Sequence, residues 1–341
     1  MYIRQKILFD PVYYIYSPTK PKVLKMWDSP KRWEVERGRM HMRVLAIVNP
    51  VAGKTCKYWP ALKPILKRRY DTQIQMTERR NHATSIAAEA QNVDVIASVG
   101  GDGTLNEIVN GVMGKDIMLS VIPTGTANDF VKSAELYTDC FTAARNIQCS
   151  NIKRVDAGSI MFEDKTRYFI GVAGMGFDGL VSKTTSKINK PKMGTVPYLL
   201  GILKHFAEYK SVDVSLTVDD THINQKIMFV DVANGKYVGS GMTIAPYARV
   251  DDGLFDVIVI GNFGRIESLM RLPMLYRGTH LKSSKVGFVR GRHVELKSET
   301  PLSIHAEGEY LGQTPAAFDM VDKALKFCAP TAAGLLEKSP K

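Results

Sequence analysis

Apolar and polar positions along residues 43–130 alternate between two periods. Val44 to Val48 is an apolar run that predicts a buried strand, closed by the turn Asn49-Pro-Val-Ala-Gly53. Tyr58 to Tyr70 carries helical spacing despite Pro60 and Pro64, and Thr72 to Met76 predicts a second strand. Ala83 to Ala90 reads as a helix and Val95 to Val99 as a third strand. After the glycines at 100, 101 and 103, Leu105, Ile108, Val109 and Val112 recur on one helical face. Met118 to Ile122 is a fourth strand, followed by the polar turn Pro123-Thr-Gly-Thr-Ala-Asn-Asp129. Strands alternating with helices predict a doubly wound parallel α/β domain, which places ligands at the carboxyl ends of its strands.

Beyond about residue 150 the period shifts to two. Tyr168 to Val172, Val212 to Val218, Ile227 to Ala233, Phe255 to Ile260 and His293 to Leu296 are short alternating runs between turn residues. They predict a second, mainly antiparallel β domain, with helices over Val196 to Tyr209 and Ile266 to Tyr276. The expected organisation is an extension over 1–42, an α/β nucleotide-binding domain over 43–150 and a β-rich substrate domain over 151–313. A segment over 314–341 returns to the first domain, and the active site is expected in the cleft between the two. Residues 1–42 mix Tyr13, Tyr14, Tyr16, Trp27 and Trp33 with prolines and basic residues and show no period. That composition suits a poorly ordered extension, an upstream start ahead of Met40 or Met42, or an interfacial anchor.

Composition narrows the function. Of 341 residues, 45% are hydrophobic and 23% charged, ordinary for a folded protein, and no apolar stretch is long enough to span a bilayer. Nothing at the start resembles a secretory signal. Four scattered cysteines form no CxxC pair, which speaks against a zinc site or a disulfide framework and for a reducing cytoplasm. A net charge of +12 favours anionic partners. It comes without aromatic residues interleaved on a nucleic-acid module, so an anionic membrane surface or nucleotide is expected and nucleic acid is not.

Two familiar phosphate signatures fail. Gly53-Lys54-Thr55 resembles the end of a Walker A loop, but Val48 stands where the upstream glycine belongs. Gly174-Met-Gly176-Phe-Asp-Gly179 satisfies GxGxxG but lies in the β-rich half without an acidic residue at the ribose distance. It reads as a packing turn into Leu180 and Val181. The histidines form no ligand set, and His82, His205 and His305 read as packing or surface residues. No GxSxG elbow supports a serine hydrolase.

Three turns remain, each after a strand of one sheet: Asn49 to Lys54, Gly100 to Glu107 and Pro123 to Asp129. Together they offer backbone amides, a cation, hydroxyls and the carboxylates Asp102 and Asp129, the parts a phosphate site needs. A carboxylate such as Asp102 beside a phosphate makes sense if a cation sits between them, or if it holds another residue in place.

These three motifs, in this order, resemble the diacylglycerol kinase catalytic domain. More narrowly they resemble the soluble bacterial-type lipid kinases related to sphingosine and ceramide kinases, over about residues 43 to 329. That family is similar to NAD kinases and phosphofructokinases in placing phosphates on a Gly-Gly-Asp-Gly turn. The resemblance implies ATP contacts from Asn49, Pro50, Val51, Ala52, Gly53, Lys54 and Thr77. It implies a phosphate cradle from Gly101, Asp102, Gly103, Thr104, Leu105, Asn106 and Glu107, with a hydroxyl from Thr126. Asp102 and Asp129 would organise a catalytic Mg2+. Asp252, with main-chain oxygens near Arg249 and Leu254, would hold a structural Mg2+; an Asp-Gly hairpin is the other reading of that turn. Glu309, in Glu307-Gly308-Glu309, would be the general base, with Glu307 standing where the family has aspartate. The implied reaction is ATP-dependent phosphorylation of a membrane lipid hydroxyl, diacylglycerol first. The alternatives are a long-chain base or other lipid alcohol, NAD, or an inactive nucleotide-binding regulator. A cytoplasmic protein in peripheral contact with an anionic membrane is expected, and a homodimer is compatible with it.

Overall fold

The computed structural model describes residues 35–36, 39–40, 42–147, 151–162, 165–186 and 209–330. The expectations for residues 1–34, for His205, for the helix over 196–208 and for 331–341 lie outside the described residues. The described residues belong to one compact unit.

Four parallel strands open the fold: β1 (Arg43–Val48), β2 (Asp71–Met76), β3 (Val95–Gly100) and β4 (Met118–Pro123). They lie side by side in the order β2-β1-β3-β4. β3 is buried along its whole length and β1 along all but its first residue, as expected of parallel strands covered on both faces. One face is covered by α1 (Thr55–Arg69) and α5 (Cys140–Arg145), through Leu62, Leu66, Ala143 and Ala144. The other is covered by α2 (His82–Glu89) and α3 (Asp102–Val112), through Ile86, Leu105, Ile108 and Val109. A short α4 (Asp129–Ser133) follows β4.

The register fixes the site. Val48 lies opposite both Val99 and Met76, and Gly100 lies opposite Pro123, so all four strands end along one edge. Asn49, Thr77, Gly101 and Thr124 therefore leave the sheet together. In the order 2-1-3-4 the winding direction reverses between β1 and β3, and the crevice outside that reversal is where open α/β sheets bind ligands.

The second half is antiparallel. It comprises β5 (Ile152–Phe162), β6 (Lys165–Phe169), β7 (Val172–Gly176), α6 (Phe177–Ser186), β8 (Val212–Val218), β9 (Thr221–Ala233), β10 (Phe255–Gly261) and α7 (Arg265–Arg277). β11 (Val286–Gly291), β12 (His293–Ser298), β13 (Ser303–Ala306), β14 (Glu309–Gln313) and β15 (Ala316–Cys328) complete it. Its core gathers Phe169, Phe255 and Phe318, with the Phe169 and Phe255 rings stacked at 5.7 Å. The strands run β14-β13-β7-β9-β8-β12-β15-β4, so hydrogen bonding continues from this half into the parallel sheet. β15 makes the junction: Ala316 to Asp319 pair with β12, and Lys326 and Phe327 pair in parallel with Met118 and Leu119 of β4.

Two local expectations are corrected and one is met. The run Tyr168 to Val172 is broken into β6 and β7 at Ile170-Gly171, because the two N–H groups there bond the Glu307 carboxylate. Gly174 to Gly179 is the tight packing turn expected: Gly176, at φ +118°, ends β7, α6 starts at the next residue, and a Cβ on Gly176 would stand 2.6 Å from the carbonyl oxygen of Met228. His305 is neither surface nor bulk packing, since its ring bonds Asp178.

Candidate active site

The three glycine turns meet. A Cβ on Gly53 would stand 2.5 Å from the carbonyl oxygen of Thr124 and 2.7 Å from the Cα of Gly125. A Cβ on Gly125 would overlap the Cα of Gly101 and come within 2.7 Å of Asn128 Oδ1. Backbone against backbone at this distance admits only glycine. Hydrogen bonds close the seam. Lys54 N donates to Thr124 O at 2.7 Å, and Gly125 N donates to Gly100 O at 2.9 Å. Asn49 Nδ2 donates to Thr104 Oγ1 at 3.0 Å, and the Thr55 and Thr124 hydroxyls bond at 2.5 Å. Thr77 N donates to Val48 O at 2.8 Å, which ties the end of β2 to the start of the first turn.

α3 begins in this seam without a side-chain cap, and Gly103 in its first turn has no neighbour where a Cβ would lie. Uncapped N–H groups at a helix start that faces open space suit an anion. Val51, Lys54 and Thr126 are exposed around it. Not every residue of the expected cradle faces that space. Leu105 and Asn106 are buried, and Glu107 turns away, its Oε2 accepting from Ala83 N at 3.1 Å and so capping α2.

The two aspartates act as pins. Asp102 accepts from Phe130 N at 3.0 Å on Oδ1 and from Asp129 N at 3.1 Å on Oδ2, capping α4 from a different loop. Burial raises its pKa; the N–H groups of Phe130 and Asp129 pull it down, and the Asp129 charge raises it. Asp129 carries the link onward, its Oδ2 accepting from Ser240 N at 2.9 Å and Gly241 N at 3.3 Å while Lys132 Nζ sits 3.1 Å from Oδ1. The chain Asp102, α4, Asp129, Ser240 thus ties the glycine edge to the turn beyond β9. Each Asp102 oxygen keeps a lone pair and so does Asp129 Oδ1 beside Lys132, so Asp102 fits a magnesium contact and Asp129 offers one oxygen more.

The Glu307-Gly308-Glu309 segment approaches from the other half. Glu307 and Gly308, at φ +53° and +75°, are the two central residues of a hairpin joining β13 to β14. A two-residue turn with both φ positive matches the twist of its strands, although Glu is a strained choice there beside Asn or Asp. Glu307 Oε1 accepts from Ile170 N at 2.9 Å and Gly171 N at 2.6 Å. Burial, with a smaller contribution from the Asp102 charge, pushes Glu307 up to about 7 against those N–H groups. Glu309 begins β14, and its Oε2 pairs with Arg167 Nη2 of β6 at 2.9 Å. No hydrogen bond or ion pair joins Glu309 to Asp102 or Asp129 among the described residues.

Because the folded state raises the pKa of Glu307, it favours the protonated carboxyl. This contribution to stability is full below the ordinary value of 4.5 and falls as pH rises toward 7. Glu307→Gln keeps the acceptor for both N–H groups and removes the charge. We expect it to exceed wild-type stability by about 1–2 kcal/mol at pH 8 and to lose that gain by pH 4.5. Denaturant titrations at the two pH values check this, and equal stability at pH 8 would count against it.

The Asp252 turn is built differently from the metal site that the resemblance implies. Arg290 pairs with the Asp252 carboxylate and donates from Nε to Asp256 Oδ1 at 2.8 Å, while Leu254 N donates to Asp252 Oδ1 at 3.3 Å. Buried Asp156 fixes the turn beneath, accepting from Gly253 N at 2.7 Å and Lys323 N at 2.6 Å. Arg290 supplies the positive charge that clustered carboxylates need, so the donor set at Arg249, Asp252 and Leu254 does not fit an open magnesium site. Sequence reading missed Asp156 and Arg290; the signal for Asp156 was a lone aspartate inside the apolar run Val155 to Ala157.

Comparison with known proteins decides the family. Residues 43–160 match the diacylglycerol kinase catalytic domain, and residues 171–329 match the YegS C-terminal NAD kinase beta sandwich-like domain. A diacylglycerol kinase of Staphylococcus saprophyticus is 31% identical over 289 residues, 82% of this chain and 92% of that protein. The chain belongs to the diacylglycerol kinase family. A Staphylococcus aureus diacylglycerol kinase is 31% identical over 300 residues, covering 85% of this chain and 93% of its own. A solved diacylglycerol kinase structure from Bacillus anthracis str. Sterne shares the fold with a TM-score of 0.65 at 23% identity, over 85% of this chain and 97% of that one. The architecture expected from sequence, a parallel α/β domain followed by a mainly antiparallel β domain, is the family's fold. No helix among the described residues is long and apolar enough to cross a membrane.

Proposed function

We propose that this kinase transfers the γ-phosphoryl group of ATP to the hydroxyl of a membrane lipid, diacylglycerol in the first instance, giving phosphatidic acid and ADP. The observation that carries this is the seam of Gly53, Gly101 and Gly125 at the winding reversal, with an uncapped helix start open beside it. In the proposed reaction the triphosphate lies against the Gly101 to Thr104 amides, with Lys54 and Thr126 at its rim. The lipid oxygen attacks the γ-phosphorus, its proton passes to Glu309, and the bond from that phosphorus to the β–γ bridging oxygen breaks. Such transfers depend on positioning and charge neutralisation rather than covalent participation by the protein. Magnesium, when bound through Asp102, would neutralise charge on the phosphates. Arg167 holds the Glu309 carboxylate in one orientation through a hydrogen bond of 2.9 Å.

The lipid resides in a bilayer, and a net charge of +12 supports approach to an anionic surface. The test is transfer of radiolabel from ATP to mixed vesicles of anionic phospholipid carrying diacylglycerol or a long-chain base, with NAD as a soluble acceptor in parallel. Label in diacylglycerol is expected. Label only in the long-chain base or NAD replaces the substrate, and no label in any acceptor defeats the proposal.

A further inference from the structure

The Gly174 to Gly179 motif takes no part in the phosphate site, yet it floors a buried polar cluster. Gly174 of β7 lies opposite Asp231 of β9 on one side and His305 of β13 on the other, so the three residues stand in a row across the sheet. Asp178, from the first turn of α6, closes over them. A Cβ on Gly174 would lie 2.9 Å from His305 Nε2 and would overlap Asp178 Oδ2 and Asp231 Oδ1. The space those oxygens and the ring converge on exists because residue 174 has no side chain.

Hydrogen bonding assigns the protons. Gly308 N donates to His305 Nδ1 at 3.3 Å, so that nitrogen carries the lone pair and Nε2 carries the hydrogen. Nε2 then donates to Asp178 Oδ2 at 2.7 Å, and Gly179 N donates to Asp178 Oδ1 at 2.7 Å. Asp178 thus accepts on both oxygens and keeps a lone pair on each. Asp231 is 4% exposed, and its Oδ1 finds no N–H or O–H donor among the described residues. A buried carboxylate oxygen with no donor is costly on an anion that stands beside a second carboxylate. Three such ligand atoms within 4.8 Å could also hold a metal ion. That would require the Nε2 lone pair, which this tautomer does not offer.

We propose that Asp231 carries a proton and donates it to ionised Asp178, and that the chain Asp231, Asp178, His305, Gly308 holds the Glu307-Gly308-Glu309 hairpin in register. Asp231, Asp178 and His305 are positioning residues for Glu309, an assignment that rests on the proposed role of Glu309 as base. Burial and the adjacent Asp178 charge raise Asp231 well above the ordinary carboxylate range, while at Asp178 burial is outweighed by His305, Asp231 and the Gly179 N–H together, which lower it. Tyr209 is a further titratable group beside Asp178, and burial raises its pKa.

The test compares the full-length wild type with Asp231→Asn, Asp231→Ala and His305→Ala. An amide can donate where the protonated carboxyl did, so D231N should keep kcat within about threefold of wild type. D231A and H305A should lower kcat about 10- to 100-fold with KM for ATP unchanged, as expected when a reacting group is displaced rather than removed. Nitrogen-15 NMR of the wild type should show His305 neutral with its proton on Nε2. H305A turning over lipid like the wild type overturns the proposal, as does a His305 proton on Nδ1. One divalent ion per chain that is lost in D231N also overturns it, in favour of a metal site. Should the wild type phosphorylate no lipid, the proposed function falls by itself. The NMR tautomer and the Gly308 amide exchange rate, expected to rise in H305A, then decide the network independently.

Discussion

Replacing Glu309 with glutamine should lower kcat for lipid phosphorylation about 10³-fold while leaving ATP affinity unchanged, since a positioned base contributes roughly 10²–10⁴. Glu309 opens β14 directly after a tight hairpin, so its backbone position is set by ladder pairing with Ala306. Its side chain is one-third exposed and paired with Arg167, which leaves it able to meet a substrate while holding one orientation. Glutamine keeps the shape and an oxygen for Arg167 but cannot take a proton. Single-turnover transfer at saturating ATP, with ATP affinity measured by calorimetry, separates chemistry from binding. A variant that transfers phosphate at the wild-type rate would remove Glu309 from the mechanism. A variant that loses ATP binding would make it structural.

The second large effect lies in the glycine seam. Gly125→Ala should weaken ATP binding more than about 100-fold and cost about 1–3 kcal/mol of stability, the usual range for overpacking. The added methyl overlaps the Gly101 backbone, which cannot move without dragging the start of α3 with it. Gly103→Ala is the control. It sits in the first turn of α3, where the new methyl meets no atom within 4 Å outside its own helix backbone and chain neighbours, and should change stability little. Alanine at 125 binding ATP as tightly as the wild type would show that the three turns do not form one phosphate site.

What could be read from the residues alone follows from how local the cause is. β1, β3 and β4 were legible because strands buried on both faces must be apolar throughout, and the turns after them carry glycines for a backbone reason. β15 was not legible. Its alternation breaks at a bulge between Val321 and Leu325, where Lys323 takes φ +48° so that its N–H can reach Asp156. The split of Tyr168 to Val172 has the same kind of cause, a carboxylate 137 residues away capturing the Ile170 N–H. In the site, the motif located Asp102 but not what it bonds. Glu107 looked like part of the cradle until its carboxylate was found at the start of α2. Asp178, Asp231 and His305 are brought together by strand register, which no spacing along the chain encodes.

The placement of β15 sets the order in which this protein can mature. β4, β5 and β12 each lack a neighbour until residues 316–328 have left the ribosome. A nascent chain stalled earlier presents unpaired strand edges from both halves at once, the kind of surface that recruits chaperones or other unfinished chains.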